Sequence, residues 1–216
     1  KMKLHVFDLD DTLLCGDSEG AWINFLSTKG FFVNDDHASI MEQFEVDYRS
    51  GNFDSEKYCL YILQSMQGIH EKELSKLSDE FIEGYFDQLV DQVTFNLLGR
   101  IEKEDLSIIA TGAMDFLGNE FSRKFGIQDC IATKTEVIDN RISGRLDGSP
   151  NFGFDKKANV EEWCKRKNIS KEEIIFYTDS INDFPLVEHS PKSVIVSPDD
   201  KLEKFAQENK LEIIYR

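Results

Sequence analysis

"VFDLDDTLL", Val6 to Leu14, sets Asp8, Asp10 and Asp11 into a run that otherwise has the character of a buried strand. A carboxylate withdrawn from water without a partner is costly or takes up a proton, so the cluster calls for a cation, a proton donor or an open site. The strand reading covers residues 3–9, and similar brief apolar, β-branched runs bounded by turn residues recur at 106–111, 130–133, 173–178 and 193–197. Runs of this kind are parallel strands covered on both faces. Between them, 116–126 and 157–168 carry apolar residues at helical spacing and close on Gly126 and Asn168. Strands alternating with helices predict a doubly wound, mostly parallel α/β sheet.

Working outward, the stretch 15–99 has a different texture. It holds 16 Asp and Glu against 5 Lys and Arg, a net of −11, whereas the remaining residues hold 25 against 20, a net of −5. Four amphipathic helices are expected there, over 19–30, 37–51, 54–68 and 71–93, with Gly30, Gly51 and Gly68 closing the first three. This predicts two units: an α/β core of 1–14 and 100–216, and a helical subdomain of 15–99 inserted after the first strand. The subdomain's Phe and Tyr residues read as bundle core. A small β-hairpin is expected within 135–154, turning at Asp139-Asn140.

The chain has 216 residues, 40% of them hydrophobic and 31% charged, which is the composition of a globular protein. No apolar run approaches the ~20 residues of a membrane span. The overall charge of −16 disfavours a nucleic-acid partner, which is held through Lys and Arg on phosphates. The first strand begins at once, without a signal-like segment, and Cys15, Cys59, Cys130 and Cys164 are scattered; reduced thiols and a cytoplasmic location are the expectation.

Ligands of open α/β sheets bind beyond the carboxyl ends of the strands. There the first strand brings Asp8 and Asp10, the second ends at Thr111-Gly112, and the fourth runs into "TDSIND" with Asp179, Asn182 and Asp183; Lys156 and Lys157 precede the helix leading to it. In a strand, residues i and i+2 share a side, so Asp8 and Asp10 would face one site while Leu9 faces the core. Several carboxylates, a hydroxyl and an ammonium suit Mg²⁺ and a phosphate monoester: the cation and the Lys offset the charge of an anionic nucleophile approaching an anionic phosphate. A calcium loop is the competing reading of the first motif, but Leu13 stands where such a loop requires Gly. Helix capping competes for "DSIND" taken alone.

"FDLDDTLL", "IIAT", a Lys ahead of an amphipathic helix and "YTDSINDFPLVE" follow in the order of the four motifs of the haloacid dehalogenase-like phosphohydrolases, from Phe7 to Glu188. The chain resembles the phosphoserine phosphatase-like branch of that family, whose Rossmann-like core carries a helical cap. The resemblance implies that Asp8 attacks phosphorus to form an aspartyl phosphate and that Asp10 serves as general acid and base. It further implies that Asp8, the Asp10 carbonyl and Asp179 hold Mg²⁺, and that Thr111, Gly112, Lys156 and Asn182 bind the phosphoryl group. Asp183 would support the metal or the Lys. Lys156 is preferred to Lys157 because it lies seven residues before Trp163, as in similar proteins.

Asp17 and Glu19 stand where relatives place cap-hinge residues that meet the substrate. The acidic cap suggests a leaving group bearing an amine, as in phosphoserine, though similar phosphoserine phosphatases carry Glu where this chain has Asp17. Transfer to an acceptor other than water, or a non-catalytic binding protein of the same fold, are the competing functions. The expected partner is a small phosphate monoester, with neither nucleic acid nor membrane.

Overall fold

The computed structural model describes residues 2–31 and 35–216. Strand β1 (Leu4–Phe7) is followed by five helices, α1 (Ser18–Thr28), α2 (His37–Ser50), α3 (Ser55–Gln64), α4 (Glu71–Leu89) and α5 (Gln92–Leu98). Then come β2 (Leu106–Met114), α6 (Asp115–Phe125), β3 (Asp129–Thr133) and a hairpin of β4 (Thr135–Ile138) and β5 (Arg141–Leu146). The chain continues through α7 (Gly153–Lys167), β6 (Ile174–Thr178), α8 (Phe184–His189), β7 (Lys192–Val196), α9 (Asp200–Glu208) and β8 (Glu212–Ile214).

Six strands form one sheet in the order β3-β2-β1-β6-β7-β8, and every pairing in it is parallel. The chain builds outward from β1 on one side, then crosses to build outward from β6 on the other. That reversal opens a crevice beyond the carboxyl ends of β1 and β6. Both faces of the sheet are buried, and the two-residue period of a strand sorts the side chains. Leu4 and Val6 pack with Ile108, Phe176, Trp163 and Leu202 on one face, while Phe7 packs with Ile109, Tyr177, Leu9 and Trp22 on the other.

The structure corrects several expectations. β1 stops at Phe7, and Leu9–Leu13 form a single tight turn in which Asp11 takes a left-handed φ of 53°. Asp8 and Asp10 are therefore not strand residues that share a side, because both lie beyond β1. The expected fourth helix over 71–93 is two: it breaks at Val90, and Asp91 caps α5 through the Thr94 N–H at 3.0 Å. Helix α7 starts at Gly153, so Lys156 lies in its first turn and does not precede it. The hairpin turns at Asp139 and Asn140, whose φ values of 49° and 60° are those of a tight two-residue turn. The four cysteines are unbridged. Among the described residues, no helix is long and apolar enough to cross a membrane.

Candidate active site

Asp8 begins the turn after β1. Its N–H donates to the Tyr177 carbonyl of β6 at 2.9 Å, which fixes the residue at the sheet's reversal point. Its carboxylate accepts from the Leu9 N–H at 2.9 Å and from Lys156 Nζ at 3.2 Å. Lys156 is 2% exposed and also donates to Asp183, 2.7 Å from Oδ1. Burial opposes its charge, but Asp183 and Asp8 outweigh burial and hold the ammonium above the ordinary lysine range. Asp183 is itself oriented by the Thr178 hydroxyl, which donates to Oδ2 at 2.8 Å. Lys157, by contrast, is half-buried and lies 3.9 Å from Glu161. The ammonium that meets Asp8 is that of Lys156.

Acid outnumbers base around this point. Burial pushes the Asp8 carboxyl up to about 6 despite Lys156. Asp179, which follows β6, is held well above the usual carboxylate range by burial and then by the charge of Asp8. Its carboxylate accepts from the Thr12 hydroxyl at 3.3 Å and has no ion pair among the described residues. Asp10 is likewise held well up, by burial and then by the charge of Asp17, and its carboxylate accepts from the Ser18 N–H at 2.7 Å.

Asp8, Asp10, Thr111, Gly112 and Lys156 line one cavity of about 540 Å³, and helices α1 and α2 close over it. Asp17 caps α1 by accepting from the Glu19 N–H at 2.9 Å, and burial raises its carboxyl to about 6. Glu19 is fully buried, its carboxylate 3.4 Å from the Met114 N–H, and both acids line the cavity. Burial, then the charges of Asp10 and Asp17, hold the Glu19 carboxyl well above its ordinary value.

Two expected contacts differ. Asn182 does not line the cavity: its amide donates to the Tyr48 carbonyl of α2 and to Ser180 Oγ, both at 2.8 Å. Gly112 was expected to let backbone approach a phosphate, but a Cβ there would lie 2.1 Å from the Phe152 ring. The missing side chain makes room for that ring.

A model of the haloacid dehalogenase-like hydrolases matches residues 5–188. The chain belongs to this family. It is an enzyme of the hydrolase class, and its helices α1 to α5 lie between the first two core strands. Among its relatives is the histidinol-phosphatase of Neisseria meningitidis serogroup C, 28% identical over 210 residues that cover 95% of each chain. A phosphoserine phosphatase of Mycobacterium tuberculosis is 23% identical over 96% of this chain and 68% of its own length. A Bordetella pertussis protein of unknown function superposes with a TM-score of 0.85 at 27% identity, covering 99% of both chains. A substrate-bound phosphoserine phosphatase gives a TM-score of 0.70 at 15% identity, with 99% and 93% covered, and shares the fold.

Some residues of this hydrolase site escape a motif-based reading. Arg216 spans 2.6 to 3.4 Å to the Asp11, Thr12 and Leu13 carbonyls and pairs with Asp91, bracing the turn that carries Asp10. Tyr48, Phe53, Tyr58 and Phe152 line the cavity, whereas Trp22, Phe25 and Phe81 form the expected helical core. Helical spacing gives both sets the same signature. The "NF" and "NFGF" turns at Phe53 and Phe152, outside any helical period, are the signal that separates two of them.

Proposed function

We propose that the chain is a Mg²⁺-dependent phosphomonoesterase that hydrolyses a small phosphorylated metabolite through an aspartyl-phosphate intermediate on Asp8. The observation that carries this reading is the buried Asp8–Lys156–Asp183 arrangement at the floor of a cavity that also presents Asp10 and Thr111. Lys156 offsets the charge of the nucleophile, and Asp183 holds Lys156 in place. An Asp8 oxygen attacks phosphorus as the bond to the alcohol oxygen breaks. The Asp10 carboxyl, whose protonated form burial favours, gives its proton to that oxygen. Asp10 then takes a proton from water, the water oxygen attacks phosphorus, and inorganic phosphate leaves Asp8 free.

The donor set suits a hard divalent cation: every candidate ligand is oxygen, and the acids exceed the bases at their depth. Asp8, Asp179 and the Asp10 carbonyl would hold Mg²⁺, which supplies positive charge to the phosphoryl oxygens. No group of three or more His, Cys, Asp or Glu side chains forms a cage among the described residues, and two carboxylates with one carbonyl fall below that count. Thr111 would meet the phosphoryl group, its Oγ1 already accepting from the Ala113 N–H at 3.0 Å. Asn182 can do so only after its amide releases the Tyr48 carbonyl or Ser180 Oγ. The phosphatase names of the curated relatives support the substrate class, and the acidic helical wall supports an amine-bearing alcohol. Hydrolysis of p-nitrophenyl phosphate tests the reading: turnover should need Mg²⁺, stop with EDTA and vanish in Asp8→Asn. Equal activity of wild type and Asp8→Asn would overturn it.

A further inference from the structure

We propose that the cavity selects phosphate esters of amino alcohols that carry no carboxylate, with Glu19 as the residue that sets this preference; the inference rests on the phosphatase reading above. Among the described residues that line the cavity, Lys156 is the single Lys or Arg, and both of its carboxylate partners are already in place. Arg49, just beyond the lining, is spent on Glu45 at 3.4 Å and lies 3.9 Å from Asp11. His37 lines the rim, but its Nδ1 is shared with the Tyr61 hydroxyl at 2.8 Å, and burial favours its neutral ring.

The wall that α1 and α2 give the cavity therefore carries Asp17, Glu19 and Glu42 without an ion pair among the described residues. A substrate carboxylate would have no cation to meet there, and Asp17, Glu19 and Glu42 offer it only further carboxyl groups. An ammonium or a cationic ring meets the opposite conditions. The rings of Phe53 and Phe152 stand 5.3 Å apart, and those of Phe53 and Tyr58 5.2 Å apart, each pair tilted by 55°, so the three form a contiguous aromatic cluster in the cavity lining. Aromatic faces attract organic cations. Glu19 stands at the same end of β2 as Thr111, tied to it through the Met114 N–H.

O-phosphoethanolamine and O-phospho-L-serine differ by one carboxylate and make a matched pair of probes. Assayed with Mg²⁺ beside p-nitrophenyl phosphate, the first should show a kcat/KM at least ten-fold above the second, with most of the difference in KM. Glu19→Gln should narrow that ratio several-fold. Because a buried substitution can disturb folding, Asn24→Arg at an exposed position of the lining serves as the second variant and should also improve phosphoserine relative to phosphoethanolamine. Turnover of p-nitrophenyl phosphate with phosphoserine equal or preferred, or with neither amino-alcohol ester accepted, overturns the selectivity and leaves the phosphatase reading standing. Absence of turnover on all three esters overturns both. A ratio that neither variant moves removes Glu19 from the role.

Discussion

The ammonium of Lys156 is buried because two carboxylates receive it, so its removal has two effects. Lys156→Met should abolish turnover and leave Asp8 and Asp183 as an unpaired buried pair, at a cost of about 3 kcal/mol in unfolding free energy measured with denaturant. Lys157→Met, at a half-buried position beside Glu161, should change stability by no more than ~0.5 kcal/mol and leave turnover intact. Gly112 gives a sharper steric case. Gly112→Ala puts a methyl group into the Phe152 ring and should lower stability by about 1–3 kcal/mol. Phe152→Ala in the same chain should restore part of that loss, so the pair will be strongly non-additive in a double-mutant cycle. At this scale the sequence was legible where a residue's chemistry is unusual for its surroundings: acids at the end of an apolar run, and a Lys seven positions before a Trp. It was illegible where one residue type serves two purposes. Gly112 could admit a phosphate or a ring, and nothing in the chain near it says that Phe152, forty residues on, will arrive.

Helix α2 is fastened to the core at its last turn. The Tyr48 carbonyl accepts from Asn182, the Ser50 carbonyl accepts from Lys201, and Arg49 lies 3.9 Å from Asp11. A helix leaves its last carbonyls short of intrahelical partners; here the loop that follows β6 and α9 supply donors, with the Gly51 N–H also on the Tyr48 carbonyl at 3.1 Å. Asn182→Ala should cost about 1 kcal/mol. Its clearer signature is local: amide hydrogen exchange should quicken in the last turn of α2 while β1 and β6 stay protected. Uniform quickening across the sheet would show that the contact supports the whole fold. The sequence marked α2 well, with Gly51 ending it in a left-handed conformation at φ 73°, yet could not show what that end touches. Of the missed elements, α5, α8 and β8 span 7, 6 and 3 residues, too few for a period to stand out, but α9 was missed although Leu202, Phe205 and Ala206 keep a helical spacing; the breaks that were misplaced, at Phe7, Val90 and Gly153, are set by turn and capping geometry. The central strands were legible because burial on both faces leaves a continuous apolar run.

For the molecule as a whole, the excess of buried acid sets the response to pH. Asp8 and Asp17 lie at about 6 when folded against an ordinary 3.8, and Asp10, Glu19 and Asp179 are raised as well. These groups bind protons more readily folded than unfolded, so they add stability as pH falls through 6, and the gain is complete below about pH 3.8. His5, His37 and His189 are lowered by burial and act in the opposite sense as pH falls below 6.5. The acids are more numerous and more deeply buried, and they decide the sign. In EDTA, the melting temperature should rise between pH 7.5 and pH 5.5; saturating Mg²⁺ should flatten or reverse that slope by offsetting the carboxylates. A metal-free protein that loses stability steadily over the same interval would contradict this account.

The placement of β1 also orders events during synthesis. Leu4 pairs with Leu106 on one side and with Ile174 on the other. β1 therefore waits for neighbours made about a hundred and then about seventy residues later, and such distant pairings are slow to close. Until Thr178 has emerged, the apolar strand that leads into Asp8 has an open edge. The crevice around Asp8 can form only once β6 has been made.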